Sequence, residues 1–395
     1  MTIDYAAPLA LVRAERYTSP GEPSAILPDV YGDFTVGGIR GPIPAVLIDR
    51  ASNTYGLATP MTSITHVYEE ETDVTADATI TLSTNYQGQG LITTISFASA
   101  RSGQITVRGI GRVVDGDNPI SQLEDLLAAR ASAQSRDYHT AALERARAAC
   151  AALGLTTAWV VADDRPVDAW IAEIMLNVFG GWTRTGRGLL VLWVNDARWS
   201  ESDLVAHIVA HRDCVDGDDD PEMEGAEDGL CNALTVYYLW SESIGGPSSR
   251  LTTPTDPRSI NAYGEDRHSV TLRGHRDAGQ VAAWAARFFA LAAAPTRVEG
   301  AIVRFAARTP ALLAATEGDL IGFSWDWGPT RERGHLYRNE VLRLLALSPT
   351  LDDRPRIDVV ALDTGRFLAT DAAFDAALAF DAARPFGGDR DLAER

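Results

Sequence analysis

The sequence contains no lysine. All 35 basic residues are arginine, 54 residues are acidic, and the formal net charge is −19 at pH 7. Proteins that bind nucleic acids neutralise phosphates with a positively charged surface. The acidic surplus therefore argues against a nucleic-acid partner. A GC-rich genome is the simpler explanation of a set of basic residues made only of arginine. The functional explanation is that the planar guanidinium suits buried ion pairs better than lysine does.

Cysteine and long apolar segments are also scarce. The three cysteines, Cys150, Cys214 and Cys231, cannot form a closed disulfide framework because their number is odd and small. No apolar run reaches the ~18 residues that span a bilayer, and residues 1–14 lack the basic and apolar regions of a secretory signal. We expect no stable membrane insertion and no Sec export, and a stability that comes from cores and assembly.

Motifs for nucleotide binding and covalent catalysis are missing from the sequence. No glycine-rich turn has the spacing of a Walker loop or a dinucleotide fingerprint, and the run 37–41 lacks the strand and helix that such a loop needs. There is no nucleophile elbow, and nothing singles out two carboxylates as a glycosidase pair. We predict that the protein is not an enzyme and has no catalytic or cofactor-binding residue.

The sequence does contain enough apolar material for two or three cores, since 46% of its 395 residues are hydrophobic. In residues 1–118, short runs alternate apolar and polar residues with the period of a half-buried strand. These runs cover 79–83, 91–97 and 104–107. The proline-punctuated stretches 26–35 and 41–49 are predicted to be edge strands and ordered loops, because proline removes a ladder donor.

A helical pattern begins at Asn118, an N-cap candidate that is followed by a proline at the first helical position. The elements predicted after it are a helix from Pro119, a helix over 141–153 that ends at Gly154, a strand over 155–161, a helix over 167–178 and a strand over 188–194. This order predicts a small α/β insert over 119–212, within a module 119–230 that ends in an acidic loop.

The third module, 231–395, is predicted to be β-rich with one long helix over 277–294. Asp277 and Gln280 have capping-box spacing. The apolar stripe of the helix is expected to pack on the C-terminal sheet, and it consists of Val281, Trp284, Phe288 and Leu291. Strands are predicted over 232–240, 300–306, 320–325, 340–347 and 357–362. A loop or linker is predicted over 245–249, and the last 25 residues are expected to be partly mobile. The whole chain is thus predicted to be an α+β protein, made mainly of β modules with an α/β insert.

The sharpest candidate for chemistry is a set of potential zinc ligands, His207, His211, Cys214 and Cys231. Two histidines four residues apart share one face of a helix, and two cysteines could complete a tetrahedral site. The residue after His207 is isoleucine, so the general base of a zinc-protease helix is missing. A half-buried helix with incidental histidine and cysteine is the alternative, and we predict no metal ligand here.

Residues 213–228 contain nine acidic side chains and no basic one, which predicts a solvated surface loop. The run 216–222 resembles a calcium loop superficially, but Pro221 stands at the sixth position, where an EF-hand requires glycine. Loose association with Ca²⁺ remains the alternative to a solvated run of charge.

Two sets of segments, one in each half of the sequence, resemble a known class of proteins. In the first half they are Leu27-Pro28-Asp29-Val30-Tyr31-Gly32-Asp33-Phe34-Thr35, the run 44–49 and Val67-Tyr68. In the second half they are Ser259, Tyr263-Gly264, the helix 277–294 with Pro295, and Glu317-Gly318-Asp319-Leu320-Ile321. Both sets resemble the tail hub and baseplate hub structural proteins of tailed bacteriophages, and the segment 119–212 is similar to the insert that such proteins carry. The acidic loop 213–228 departs from that pattern.

This resemblance implies a central ring at the tail tip, usually a trimer, that joins the tail tube to a spike or fibre. The implied partners are other copies of the chain, distal tail and tube proteins, the tape measure protein, and spike or fibre proteins. The implied location is the virion tail, assembled in the host cytoplasm. Gly318-Asp319 would then be a hairpin turn before an inward strand, and no residue would be catalytic.

Two other functions stay open. A virion-associated cell-wall hydrolase would need a carboxylate or zinc cluster in one pocket, for which the sequence offers only the incomplete pair His207 and His211. A receptor- or glycan-binding adhesin would expose an aromatic platform, for which Trp325 and Trp327 are the only closely spaced candidates. These two tryptophans share one side of a strand, which favours a core or interface position.

Overall fold

The computed structural model describes residues 3–14, 25–88, 90–195, 204–214, 221–224, 232–252, 260–261, 264–292, 302–325, 337–350 and 356–367. Within these ranges the chain is a mixed α+β protein made mostly of strands, as the sequence predicted. No helix among these residues is long and apolar enough to cross a membrane.

The described helices and strands divide into those before residue 196, the first part of the chain, and those after residue 203, the second part. The first part contains β1 (Asp29–Tyr31), β2 (Ile43–Pro44), β3 (Val46–Asp49), β4 (Thr54–Leu57), β5 (Ser63–Glu69), β6 (Thr72–Asp73), β7 (Ala78–Asn85), β8 (Leu91–Phe97), β9 (Ile105–Ile110), α1 (Pro119–Arg130), α2 (Thr140–Ala152), β10 (Trp159–Val161), α3 (Val167–Asn177), β11 (Gly180–Arg184) and β12 (Leu190–Val194). The second part contains β13 (Leu204–Val209), α4 (Ala210–Asp213), β14 (Glu222–Glu224), β15 (Ala233–Ser241), β16 (Gly246–Thr252), β17 (Arg267–Thr271), α5 (Ala278–Ala292), β18 (Ile302–Ala307), β19 (Leu320–Trp325), β20 (Tyr337–Thr350) and β21 (Arg356–Phe367).

The described residues form two compact units. The first draws on Met1–Asp196, Gly225–Gly300 and Thr316–Gly318, and the second on Ala197–Glu224, Ala301–Ala315 and Asp319–Arg395. This division differs from the predicted modules 1–118, 119–230 and 231–395. The reason is that elements from all three predicted modules pack together within the first unit.

Two antiparallel four-stranded sheets occupy the N-terminal part of the first unit, with strand orders β2-β9-β5-β6 and β3-β4-β8-β7. The two sheets share a hydrophobic core that includes Ile43, Leu57, Val67, Ile95 and Val107. The strands β2 and β3 come from the proline-punctuated stretch and lie at sheet ends, as expected for segments that cannot complete a ladder on both sides.

The start of α1 and the end of α2 lie where the sequence signals predicted. The side chain of Asn118 accepts a hydrogen bond from Ile120 N at 3.1 Å, with Pro119 in the first turn. Gly154 follows α2 with φ of 62°, the left-handed conformation that ends many helices. α3 buries Trp170 and Ile171 in a core shared with α1 and α2.

The two strands predicted in the insert, β10 and β12, do not pair with each other. β10 pairs antiparallel with β1 from the N-terminal module, with Asp29 opposite Val161. β12 pairs instead with β11, a strand that the sequence pattern did not predict. Gly32, with φ of +80°, permits the close approach after β1, because a Cβ there would lie 2.3 Å from Thr157 O. The insert is therefore tied to the N-terminal segment by backbone pairing.

The first unit also contains a three-stranded sheet of order β16-β15-β17. β16 was predicted to be loop or linker. It forms an antiparallel ladder with β15 after a turn in which Gly245 has φ of 62°. Helix α5 begins after Asp277, whose Oδ1 accepts a hydrogen bond from Gln280 N at 2.9 Å.

Helix α5 buries Val281 and Trp284 of its apolar stripe, and the sheet on which they pack is not the predicted C-terminal one; the side chain of Leu291 is outside the described part of the structure. Val281 and Trp284 pack in a core with Leu234 and Val236 of β15. Trp284 is 1% exposed, and its Nε1 donates to the Leu176 carbonyl at 2.8 Å. The burial of Val281 and Trp284 was expected, whereas the supporting sheet is the one formed by β15 to β17.

The second unit is a single six-stranded sheet of order β13-β19-β20-β21-β18-β14. β13 and β19 are parallel and the other pairs are antiparallel. Beyond β13, Cys214 forms a backbone bridge with Ala307 of β18, and Arg308 N donates to Asp213 O at 2.8 Å. These bonds place the segment that follows β13 beside β18, which lies near the other edge of the same sheet.

Two further predictions fail in this unit. Part of the predicted acidic loop forms β14, whose Met223 lies opposite Val303 of β18. Gly318-Asp319 is a turn, with φ of +89° at the glycine, but it is not a hairpin turn. β18 pairs with β14 and β21, while β19 pairs with β13 and β20, so the strands on the two sides of the turn are not neighbours.

Candidate functional site

The predicted histidine and cysteine set does not share a helix face. His207 lies in β13 and points to the exposed side, while Ala206 and Ile208 are buried. The residues of this segment alternate between buried and exposed, and its β-branched residues favour a strand. His211 belongs to the short helix α4, Cys214 is half-buried after it, and Cys231 lies outside the described residues.

The surroundings of His207 fit a packing position. Its ring lies over Gly322 of the neighbouring strand, where an added Cβ would come within 2.6 Å of Nδ1. Within the part of the chain that the structure describes, no group of three or more histidine, cysteine or acidic side chains could hold a metal ion. The helical geometry on which the zinc hypothesis depended is therefore wrong.

The other two sequence candidates are only partly visible. Of the run 216–222 that resembles a calcium loop, the structure describes Pro221 and Glu222, while residues 216–220 lie outside the described ranges. Glu222 lies opposite Arg304 in the backbone pairing of β14 with β18. Trp325 is half-buried, and its ring meets Phe323 edge-on at 6.5 Å. Trp327 lies outside the described residues, so the predicted aromatic pair is not tested.

A cluster of charged and aromatic side chains that no sequence motif predicted lies in the first unit. Arg165 pairs with Glu173, and Arg273 pairs with Glu242 at 2.8 Å. Two of these arginines also lie over indole rings: Arg165 is 3.9 Å from the Trp170 ring centre, and Arg273 is 4.3 Å from that of Trp240. Such stacking suits the planar guanidinium and not an ammonium.

This cluster connects elements that are distant in sequence. Glu173 belongs to α3, Trp240 to β15, and Arg273 to the segment between β17 and α5. The only local signal was the exclusive use of arginine for basic positions. No spacing in the sequence predicts the pairing of Arg273, because its partners Glu242 and Glu173 are 31 and 100 residues away along the chain.

His275 is a second buried polar group of this region. It is fully buried, and its Nε2 donates to the Asn177 carbonyl oxygen at 2.8 Å. Burial lowers the pKa of His275 to about 4, since an imidazolium in this position would lose its hydration. The ring is therefore neutral in the folded protein at neutral pH.

The neutral state of His275 predicts a loss of stability in acid. The unfolded chain binds a proton at a pKa of about 6.5, whereas the folded chain does so only near 4. Below pH 6.5 the unfolded state therefore binds more protons, and the free energy of unfolding falls as the pH decreases toward 4. The full effect is at most about 3 kcal/mol, measurable by urea unfolding from pH 7.5 to 4.

The control for this prediction separates His275 from the acidic groups. His275→Gln should flatten the stability curve between pH 6.5 and 4, because glutamine does not titrate in this window. A wild-type slope retained in His275→Gln would show that another group titrates in this window.

Comparison with known proteins finds similar chains among solved structures. No family model matches the chain, and no curated protein matches it. Among solved structures, the prophage tail protein gp18 from Listeria monocytogenes EGD-e is 10% identical, with a TM-score of 0.31 over 91% of this chain and 95% of that one. A tail protein from Neisseria meningitidis MC58 is 12% identical, with a TM-score of 0.36 over 92% and 97%.

Both of these neighbours are tail proteins.

One surface feature of the first unit does bear on function. The strand β7 has eight residues and stands last in its sheet order, next to β8. Its residues alternate between half-buried and exposed, and none is charged or proline. Edge strands of monomeric proteins are usually short, charged, bulged or covered, because an open edge pairs readily with another chain. Of these features β7 has one, an irregular register with β8 between Thr81 and Thr84.

Proposed function

We propose that the protein is a structural component of a bacteriophage or phage-like tail. Its place would be the central hub ring at the tail tip, between the tail tube and a spike or fibre. The proposal includes a homotrimer without enzymatic activity, in contact with distal tail, tube and tape measure proteins and assembled in the host cytoplasm. The sequence resemblance of 27–35, 44–49 and Val67-Tyr68 to tail hub proteins is its starting point.

The open edge of β7 is the observation that carries this proposal. A long, uncharged edge strand is a hazard for a monomer, but it is the surface through which copies can complete each other's sheets. A repeated head-to-tail contact of this kind closes into a ring when the rotation between copies permits it. A role in assembly accounts for an eight-residue edge strand that carries neither charge nor proline.

The oligomeric state of the full chain tests the proposal. Native mass spectrometry should show multiples of the 42.5 kDa protomer, with the trimer as the main species. Thr81→Lys places a charge on the exposed side of β7 and should shift the protein toward the monomer, because charge on an edge opposes strand pairing.

The matched control is Ala152→Lys, which adds the same charge at the exposed C-terminal end of α2. It should leave the trimer intact, since a cation is tolerated at the end of a helix. A wild-type protein that stays monomeric at high concentration, and that no tail component recruits, would contradict the proposal. Release of sugars or peptides from purified cell wall would favour the hydrolase instead.

A further inference from the structure

The sheet of order β3-β4-β8-β7 carries almost no charge. Asp49 is the one charged residue in its four strands. Its carboxylate accepts hydrogen bonds from Ala51 N at 2.9 Å, Ser52 N at 3.2 Å and the Tyr86 hydroxyl at 3.0 Å. Strands β7 and β8 belong to a run, 78–100, that contains no acidic, basic or histidine residue, in a chain of which 23% is charged.

The neighbouring sheet of order β2-β9-β5-β6 shows that the lack of charge is particular to one sheet. Its strands contain Glu69, Asp73 and Arg108. The cores of protein interfaces are depleted of charged residues relative to the rest of the surface. The hairpin formed by β7, its turn and β8, residues 78–97, therefore has the composition of a contact surface, and we call it the neutral hairpin.

Strand β7 leaves apolar side chains of this hairpin incompletely covered. Among the described strands, β7 pairs only with β8, and the register is regular over 78–81. Ile80 and Leu82 pack against the core shared by the two four-stranded sheets but remain half-buried, while Thr81 is exposed on the other side. A further strand beside β7 would cover these two apolar side chains and pair with the open edge of the backbone.

The turn of the neutral hairpin is held in place by its own hydrogen bonds. Asn85 Oδ1 accepts a hydrogen bond from Gly90 N at 2.9 Å. The Tyr86 hydroxyl links the turn to Asp49 at the end of β3. Leu91 follows the turn and is 59% exposed. A surface that is already ordered in the free protein loses less entropy when a partner binds, so the hairpin is preorganised for contact.

The net charge of the chain indicates which partner such a surface fits. Two copies with a formal charge of −19 each repel one another. Like charges placed opposite each other in a contact are costly. A strongly cationic partner would gain from the acidic surface outside the hairpin. A second copy, in contrast, can approach the neutral hairpin without setting one carboxylate against another.

We infer that the neutral hairpin is the contact through which copies of this chain associate, with β7 adding to an uncharged surface of the next copy, and that salt strengthens this association. Backbone pairing and the burial of Ile80 and Leu82 favour the contact, while the net charge of the two copies opposes it. Salt screens that repulsion and leaves an uncharged contact intact. This inference rests on the proposed assembly through β7 and specifies its chemistry.

Sedimentation velocity of the full chain at pH 7.5, in 10 mM and in 150 mM sodium chloride, tests the effect of salt. Between these concentrations the screening length falls from about 30 Å to about 8 Å, and the dissociation constant should fall about tenfold. A contact made of ion pairs would show the opposite trend. A higher dissociation constant at 150 mM would overturn the inference and leave the proposed oligomer standing.

Substitution of Thr81 by charges of both signs tests whether the contact is neutral. Thr81→Glu and Thr81→Lys should each raise the dissociation constant about tenfold or more, because either charge would lose hydration in a neutral contact without gaining a partner. Thr81→Gln is the uncharged reference and should stay close to the wild type. A gain in affinity from one sign would mean that β7 faces a surface of the opposite charge, and would overturn the inference.

Thr252→Glu and Thr252→Lys are the matched controls, because Thr252 is exposed on β16 of the same unit, opposite Thr235. Both should keep the wild-type dissociation constant, and circular dichroism checks that every variant is folded. If the Thr81 variants do not fold, the salt dependence of the wild type carries the test.

The stoichiometry separates this inference from the proposed ring. A dimer that salt strengthens, and that the Thr81 variants weaken, would support the neutral contact and contradict the trimer. A trimer that loses equal affinity in the Thr81 and Thr252 variants would overturn the neutral contact and leave the ring. A chain that stays monomeric at every salt concentration would contradict both.

Discussion

Trp284→Ala should lower the free energy of unfolding by about 3–5 kcal/mol, through lost transfer energy and the cavity left behind. Trp284 is buried between α5 and β15, stacks on Phe288 with ring centres 5.5 Å apart, and donates to the Leu176 carbonyl. A loss of this size is a large part of a domain's ~5–15 kcal/mol of stability. Urea unfolding and the soluble yield measure it.

Two further variants help to interpret this result. Trp284→Phe keeps most of the apolar volume but removes the hydrogen bond to Leu176, so it should cost much less. Arg287→Ala, one residue off the apolar stripe, should be mild; Arg287 is half-buried and donates to the Val178 carbonyl at 3.4 Å, a long bond. If Trp284→Ala melted like the wild type, the packing of α5 on β15 would be incorrect.

Asp29→Ala should have an effect of similar size, about 3–5 kcal/mol, because it leaves a buried cation without its partner. Asp29 is fully buried and accepts two hydrogen bonds from Arg130, from Nε at 2.7 Å and Nη2 at 2.6 Å. Burial raises the pKa of Asp29, and the pairing with Arg130 opposes that rise. Chemical denaturation at pH 7 measures the loss.

An exposed ion pair of the same unit provides the control. Asp164 pairs with Arg13 at 2.6 Å, and their side chains are 48% and 38% exposed. Asp164→Ala should cost only about 0–1 kcal/mol, because solvent screens the pair. The double variant Asp29→Ala with Arg130→Ala should lose less than the sum of the two single variants. Additive losses would mean that the two side chains do not form a coupled buried pair.

The contrast between these two ion pairs shows why the sequence alone ranks charged residues poorly. Asp29 and Asp164 are both aspartates in acidic, proline-containing surroundings. Only the pairing of β1 with β10 and the position of α1 remove Asp29 from water. Burial is set by distant parts of the chain, and it is burial that decides the energetic value of an ion pair.

The sequence by itself determined the elements that depend on neighbouring residues. Asn118 with Pro119, Gly154 after α2 and Asp277 before α5 are local signals, and each marks a helix end that the structure shows. Helix caps act within about four residues, so a short stretch of sequence is sufficient to predict them. The mixed α+β class and the burial of Val281 and Trp284 in α5 follow from the same local periodicity.

Only the tertiary structure decided what pairs with what. Residues 204–209 have a sequence compatible with a helix, and the neighbouring strand β19 makes them the strand β13. The glycine-rich run after Gly245 becomes β16 because β15 offers a ladder. Strand pairing and the cluster around Trp170 both bring together residues far apart in the chain. Those contacts depend on the path of the whole backbone, and no local pattern encodes them.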